Sequence, residues 1–263
     1  MMLYFSEKKE HPMRNILSIF ILSFLLVPWA QALVPTDHTI VLVHGAFADA
    51  TASWSRVTTM LQERGFKVVA VQNPLTSFAD DVAATERALA NVKGPVVLVG
   101  HSWGGFVITQ AGSKPNVHAL VYVAAFAPSE GQSVLDLTKD YPASPGFGQL
   151  VIDSFGYGTL TEMGMKKYFA QDLPRKTTSL MFATQIPTAA TSFAEKATIA
   201  SWKTKPSWYV VAETDHMIQP ALQKAMASKI GATTTAYPGS HVIMQSQPLR
   251  VVNAILAAAG VDK

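Results

Sequence analysis

A serine hydroxyl carries out acyl transfer only when a base, an orienting acid and donors for an oxyanion stand beside it. The stretch VVLVGHSWGG, Val96 to Gly105, sets Ser102 between an apolar β-branched run and paired glycines. Gly100-His101-Ser102-Trp103-Gly104 fits G-x-S-x-G, with a strand pattern before it and a helix pattern after it. In such an elbow, small residues two before and two after the serine relieve backbone crowding, and Oγ projects above the sheet edge. The helix that follows aims its N-terminal amides at the reacting carbonyl. The bland reading is an ordinary strand-to-helix turn; the flanks favour a nucleophile.

The other parts lie further along the chain. His241, in YPGSHVIMQSQP, follows the last strand pattern and is the candidate general base. His216 is its rival, but it adjoins Asp215 on a tight loop, where neighbouring side chains point apart. His38 and His118 precede strands, His101 sits inside the elbow, and His11 falls in the N-terminal leader. Asp215, in VVAETDHMIQP, lies at a strand end between nucleophile and base and is the candidate orienting acid; the order Ser, Asp, His is the order for this elbow. Glu213, Asp136 and Asp153 are the alternatives. A second oxyanion donor is expected from LVHGAF, Leu42 to Phe47, so the amides of Ala46 and Trp103 form the hole, with the His44 side chain bracing the loop.

These residues need a scaffold that brings distant loops to one edge. Short apolar runs alternate with helical patterns throughout, the mark of βαβ units and a mostly parallel sheet flanked by helices. TIVLVHG, FKVVAVQ, GPVVLVG, HALVYVAAFAP, PSWYVVAET and ATTTAYPG read as strands. SWSRVTTMLQERG and VAATERALANV read as helices, the second capped by Ser77. Residues 128–205 depart from this rhythm, with YPASPGFGQL and FGYGTL mixing glycine, proline and aromatics, and no strand is evident there. A cap insertion over the site is expected. Phe47, Trp103, Phe126, Phe147, Phe155, Tyr157 and Trp202 are candidates to line a substrate pocket; each could equally be core.

Composition narrows the function. With 49% hydrophobic and 15% charged residues, the chain can bury a large core. With a net charge of +3 and Lys and Arg scattered rather than gathered in a run, nothing draws a polyanion, so no nucleic-acid partner is expected. The absence of cysteine removes thiolate nucleophiles, disulfides and thiolate-held metals. At the N-terminus, Arg14 precedes ILSIFILSFLLV, and Ala30-Gln31-Ala32 supplies an A-x-A pattern. The run is about a dozen residues against the ~20 that span a bilayer. Residues 1–32 therefore read as a signal peptide, with Met13 an alternative start, and residues 33–263 as the mature domain, periplasmic or secreted and not held in a membrane.

The elbow GHSWGG, the loop HGAF, the segment ETDHMIQP, the strand YVAAFAP and the closing GSHVIMQSQP together resemble the α/β-hydrolase superfamily over the whole mature chain. Within it the chain is similar to small bacterial hydrolases allied to plant methylesterases and hydroxynitrile lyases. The resemblance implies an α/β-hydrolase fold, a Ser102, Asp215, His241 triad, and hydrolysis without cofactor or metal. The expected reaction is cleavage of a small carboxylic ester through an acyl-enzyme. A lactone, amide or thioester substrate, or a non-catalytic binding protein on the same fold, is the alternative.

Overall fold

The computed structural model describes residues 1–4 and 37–261; the expected signal peptide falls almost wholly outside the described residues. Continuous aliphatic runs become strands buried on both faces, as a parallel sheet covered by helices requires. Strand β1 (Thr39–Val43) is buried along its whole length, and helix α1 (Ala50–Gln62) follows it. Asp49 caps α1 by accepting the Ala52 amide, and the helix buries Trp54, Val57 and Leu61 on one face. Strand β2 (Lys67–Val71) is largely exposed, as an edge strand can be. Helix α2 (Phe78–Ala90) is capped by Ser77 as the sequence predicts, with Asp80 and Asp81 in its first turn.

Strand β3 (Val96–His101) leads into helix α3 (Trp103–Ala111), and strand β4 (Val117–Val123) follows. After the insertion come β8 (Ser207–Ala212), α7 (Pro220–Lys229), β9 (Thr233–Tyr237), the short α8 (Ile243–Ser246) and α9 (Pro248–Ala258). The six-stranded sheet runs β2-β1-β3-β4-β8-β9, every pair parallel. The carboxyl ends of β1, β3, β8 and β9 therefore share one edge, where open α/β sheets hold their ligands.

The insertion holds α4 (Val134–Thr138), β5 (Leu150–Ile152), β6 (Tyr157–Leu160), α5 (Glu162–Gly164), α6 (Arg175–Thr184) and β7 (Thr188–Ala189). The antiparallel sheet β5-β6-β7 corrects the expectation that this region lacks strands. These strands are too short for alternation to show in sequence. Their hairpin turn is made by Asp153, whose Oδ1 accepts the amides of Phe155 and Tyr157. Trp202 donates its indole N–H to the Pro128 carbonyl at 2.7 Å, tying one end of the insertion to the other. Among the described residues no helix is long and apolar enough to cross a membrane.

Candidate active site

Ser102 is reached at the end of β3 with φ 53° and ψ −120°, a conformation that costs a non-glycine residue about 1–3 kcal/mol. The surroundings hold it there. Its carbonyl accepts the amides of Gly105 and Phe126, and its own amide donates to Val123. Both flanking glycines are required by contact: a Cβ on Gly100 would meet the Gly104 carbonyl oxygen at 2.5 Å, and one on Gly104 would meet the Val43 oxygen at 2.3 Å.

His241 Nε2 lies 2.8 Å from Ser102 Oγ, and its Nδ1 lies 2.8 Å from Asp215 Oδ2. The structure thus brings Ser102, Asp215 and His241 together, all three buried. A carboxylate only accepts, so Nδ1 carries the proton and Nε2 is left free to take one from the serine. Asp215 is held on every side: Oδ1 accepts the amides of Met217 and Ile218 at 2.7 and 3.0 Å, and Oδ2 also accepts Gln223 Nε2 at 2.7 Å. Gln223 is fully buried, and its Oε1 accepts the Ala212 amide, so it locks the loop to β8. Sequence reasoning missed Gln223 because its role depends on α7 folding back over the strand end.

The other candidates sort by position. The His216 ring packs edge-on against Tyr168, its carbonyl accepts the Gly146 amide, and it takes no part in the cluster. Glu213 pairs with Lys224 on the surface, Asp136 belongs to the cap of α4, and Asp153 to the hairpin turn. His101 contributes more than an elbow position. Its burial, reinforced by the neighbouring His241, holds its pKa well below the usual histidine range. The neutral ring lies 2.9 Å from the His241 carbonyl through Nε2, which braces His241 from behind. His44 is likewise kept neutral by burial: its Nε2 accepts the Asn73 amide at 2.9 Å while Nδ1 bonds the Gly45 carbonyl. That agrees with the expected bracing role.

Ala46 and Trp103 border the space at Ser102, and Trp103 opens α3, so its amide has no partner within the helix. Each stands on a buried polar support. Phe47, next to Ala46, sits at φ 62° and donates its amide to Thr188 Oγ1 at 3.2 Å. Trp103 donates its indole N–H to Asp81 Oδ2 at 2.7 Å, while Asp81 Oδ1 accepts the Leu75 amide at 2.8 Å. Burial pushes the Asp81 carboxyl up to about 6, against those two hydrogen bonds and with the charges of Asp80 and Glu195.

Of the predicted pocket residues, Phe47, Trp103, Phe126 and Phe147 line this space. Phe155 does not: it is 85% exposed at the hairpin tip, because the turn projects it away from the core. Tyr157 is held in β6 paired with Ala189, and Trp202 is committed to the insertion's ends between Lys203 and Lys229. Neither borders Ser102. The lining missed by sequence is Phe169, Phe193, Met217 and Ile218. A signal for two of these existed, since Met217 and Ile218 directly follow Asp215 and must turn with it.

Comparison with known proteins accords with this architecture. Residues 40–255 match the alpha/beta hydrolase family. The chain is 26% identical over 253 residues to the probable hydrolase R7 of Phoma sp., covering 86% of this chain and 99% of that one. The fold is similar to polyneuridine aldehyde esterase, with TM-score 0.74 and 20% identity over 85% of this chain and 99% of that one. It is also similar to a pyrethroid hydrolase from Sphingobium faniae, with TM-score 0.71 and 19% identity over 85% and 98% of the two chains. With the family matched from the first strand to the last helix, the chain belongs to the alpha/beta hydrolase family.

Proposed function

We propose that this protein is a serine esterase in which Ser102 is the nucleophile, His241 the general base and Asp215 the orienting acid. The observation that carries the reading is the run of two 2.8 Å contacts from Ser102 Oγ through His241 to Asp215. His241 Nε2 takes the hydroxyl proton as Oγ attacks the ester carbonyl carbon. The tetrahedral oxyanion meets the amides of Ala46 and Trp103, and the N-terminal end of α3 adds its dipole. His241 then gives the proton to the departing alkoxide, leaving an acyl-enzyme and an alcohol. Water, deprotonated by the same ring, attacks the acyl carbon and restores Ser102. Asp215 stabilises the imidazolium at both stages. Every group used belongs to the chain, the substrate or water.

The similar proteins named above include polyneuridine aldehyde esterase and a pyrethroid hydrolase, which supports an ester as substrate. The A-x-A pattern after the apolar run supports export, with the mature chain beginning near Leu33. A fluorophosphonate probe should label Ser102, and the label should vanish in Ser102→Ala. A panel of p-nitrophenyl esters beside lactones, amides and thioesters should show turnover of esters first. Unlabelled Ser102 with bound ligand would make the protein a binder. The mass of the protein recovered from its host tests the export reading.

A further inference from the structure

The space directly at Ser102 is about 10 Å³, room for roughly one water molecule and too little for an ester. Beside it lies a second cavity of about 470 Å³, within the range of small-molecule sites. Phe147, Phe193, Met217 and Ile218 line both spaces and form the wall between them. The far side of the larger cavity is built by the insertion and by α7, from Val134, Leu135, Leu150, Ala190 and Leu222. Among the described residues Lys139 is the only charged one on its lining.

The wall has one weak member. Phe193, Met217 and Ile218 are buried, whereas Phe147 is half-buried in a single 3₁₀ turn, Phe147–Gln149, between Gly146 and Gly148. Its ring meets Phe193 edge-on, with centroids 6.0 Å apart. A Cβ on Gly148 would find nothing within 4 Å, whereas one on Gly146 would meet Met217 and the His216 carbonyl, so the turn that carries Phe147 is anchored on one side and open on the other.

We infer that the larger cavity is the subsite for one bulky, neutral, apolar arm of the ester, joined to Ser102 when Phe147 swings aside. This rests on the esterase reading and gives it a substrate class: esters with one small arm and one arm about the size of a fused ring pair. A small ester leaves the cavity empty and gains nothing from it. A bulky apolar arm gains by leaving water, and its carbonyl is then carried to Ser102. Among the described lining residues no carboxylate would hold a cationic arm, and apart from Lys139 the lining is aliphatic, aromatic or uncharged polar.

The test uses two matched series followed by pH-stat: acetates of alcohols from ethanol to naphthylmethanol, and ethyl esters of acids from acetic to naphthylacetic. In one series kcat/KM should climb at least about tenfold from the smallest to the largest member. Ala190→Trp fills the cavity from the side away from Ser102, and Leu135→Lys adds a second positive charge to its rim at a position 57% exposed; circular dichroism checks that both variants fold. Each should cut the ratio of bulky to small ester rates by about fivefold or more. A flat profile in both series, or a climb that both variants retain, overturns the subsite. Ethyl acetate turnover that survives in Ser102→Ala overturns the esterase reading instead, so the two failures are distinguishable.

Discussion

The elbow and the insertion face each other across the same site and are built in opposite ways. Around Ser102 every backbone approach is close, the flanking glycines leave no room for a Cβ, and the buried carboxylates of Asp215 and Asp81 have partners on both oxygens. The insertion is assembled from strands of two to four residues, short helical turns and the ten-residue α6, helps to line the larger cavity, and exposes Leu135, Val151, Ile152 and Phe155. The contrast teaches where chemistry and choice are kept. Proton transfer and oxyanion binding require positions held within a fraction of an ångström, which only close packing supplies. On the subsite proposed above, substrate selection falls to the insertion, whose apolar residues line the larger cavity.

The most severe way to test the rigid half is to remove its reacting atoms. Ser102→Ala should lower ester turnover by at least about 10⁴-fold while the protein stays folded, and His241→Ala should fall as far, with no further loss in the double variant. His216→Ala should keep turnover within a few-fold of the parent. Loss at His216 equal to that at His241 would show that the base is misassigned.

Next in size is the support beneath the oxyanion loop. Thr188→Val keeps the branched shape but leaves the Phe47 amide buried without an acceptor, a cost of about 1–3 kcal/mol. If that strain reaches Ala46, kcat should drop about tenfold with KM little changed. Thr188→Ser, which retains the hydroxyl, should restore kcat. A KM effect alone would place Thr188 with the selective half of the molecule.

Asp81 gives a smaller, pH-dependent effect. Its folded carboxyl titrates at about 6, raised chiefly by burial, while in the unfolded chain it titrates near ~3.9. Between those values the folded state binds more protons, so this group's contribution to stability falls as pH rises through the window, by about 3 kcal/mol in all, and is fully lost above about pH 6. Asp81→Asn abolishes the titration. Denaturant midpoints should therefore show the parent losing ground against the variant between about pH 4 and pH 7. A constant difference across that range would mean that Asp81 does not titrate there.

The smallest effect belongs to the yielding half. Phe155→Ala removes a ring that is 85% exposed, so stability should change by no more than about 0.5 kcal/mol and the profile of arm sizes not at all. Phe147→Ala, by contrast, should open the wall permanently and so raise the rate of bulky esters relative to small ones. Circular dichroism melts and the two ester series measure both.

Much of this molecule is determined by the sequence itself. The strands β1, β3 and β4 are continuous aliphatic runs, and Asp49 and Ser77 announce their helices because capping is a bond within a few residues. The elbow is legible for the same reason: Gly100, Ser102 and Gly104 answer a steric demand that arises inside one turn. Asp215 and His241 follow once the sheet order is assumed, since strand ends must meet at one edge. Tertiary structure alone decided what depends on surfaces meeting from far apart. Gln223 on Asp215, Thr188 on Phe47 and Asp81 on Trp103 join residues 8, 141 and 22 positions apart through single hydrogen bonds, which leave no periodicity to read. The pocket was the least legible part, because a phenylalanine carries the same pattern whether it faces core, cavity or water. Phe147, Phe155 and Phe193 were separated only when the insertion folded and set one ring as a door, one in solvent and one in the wall.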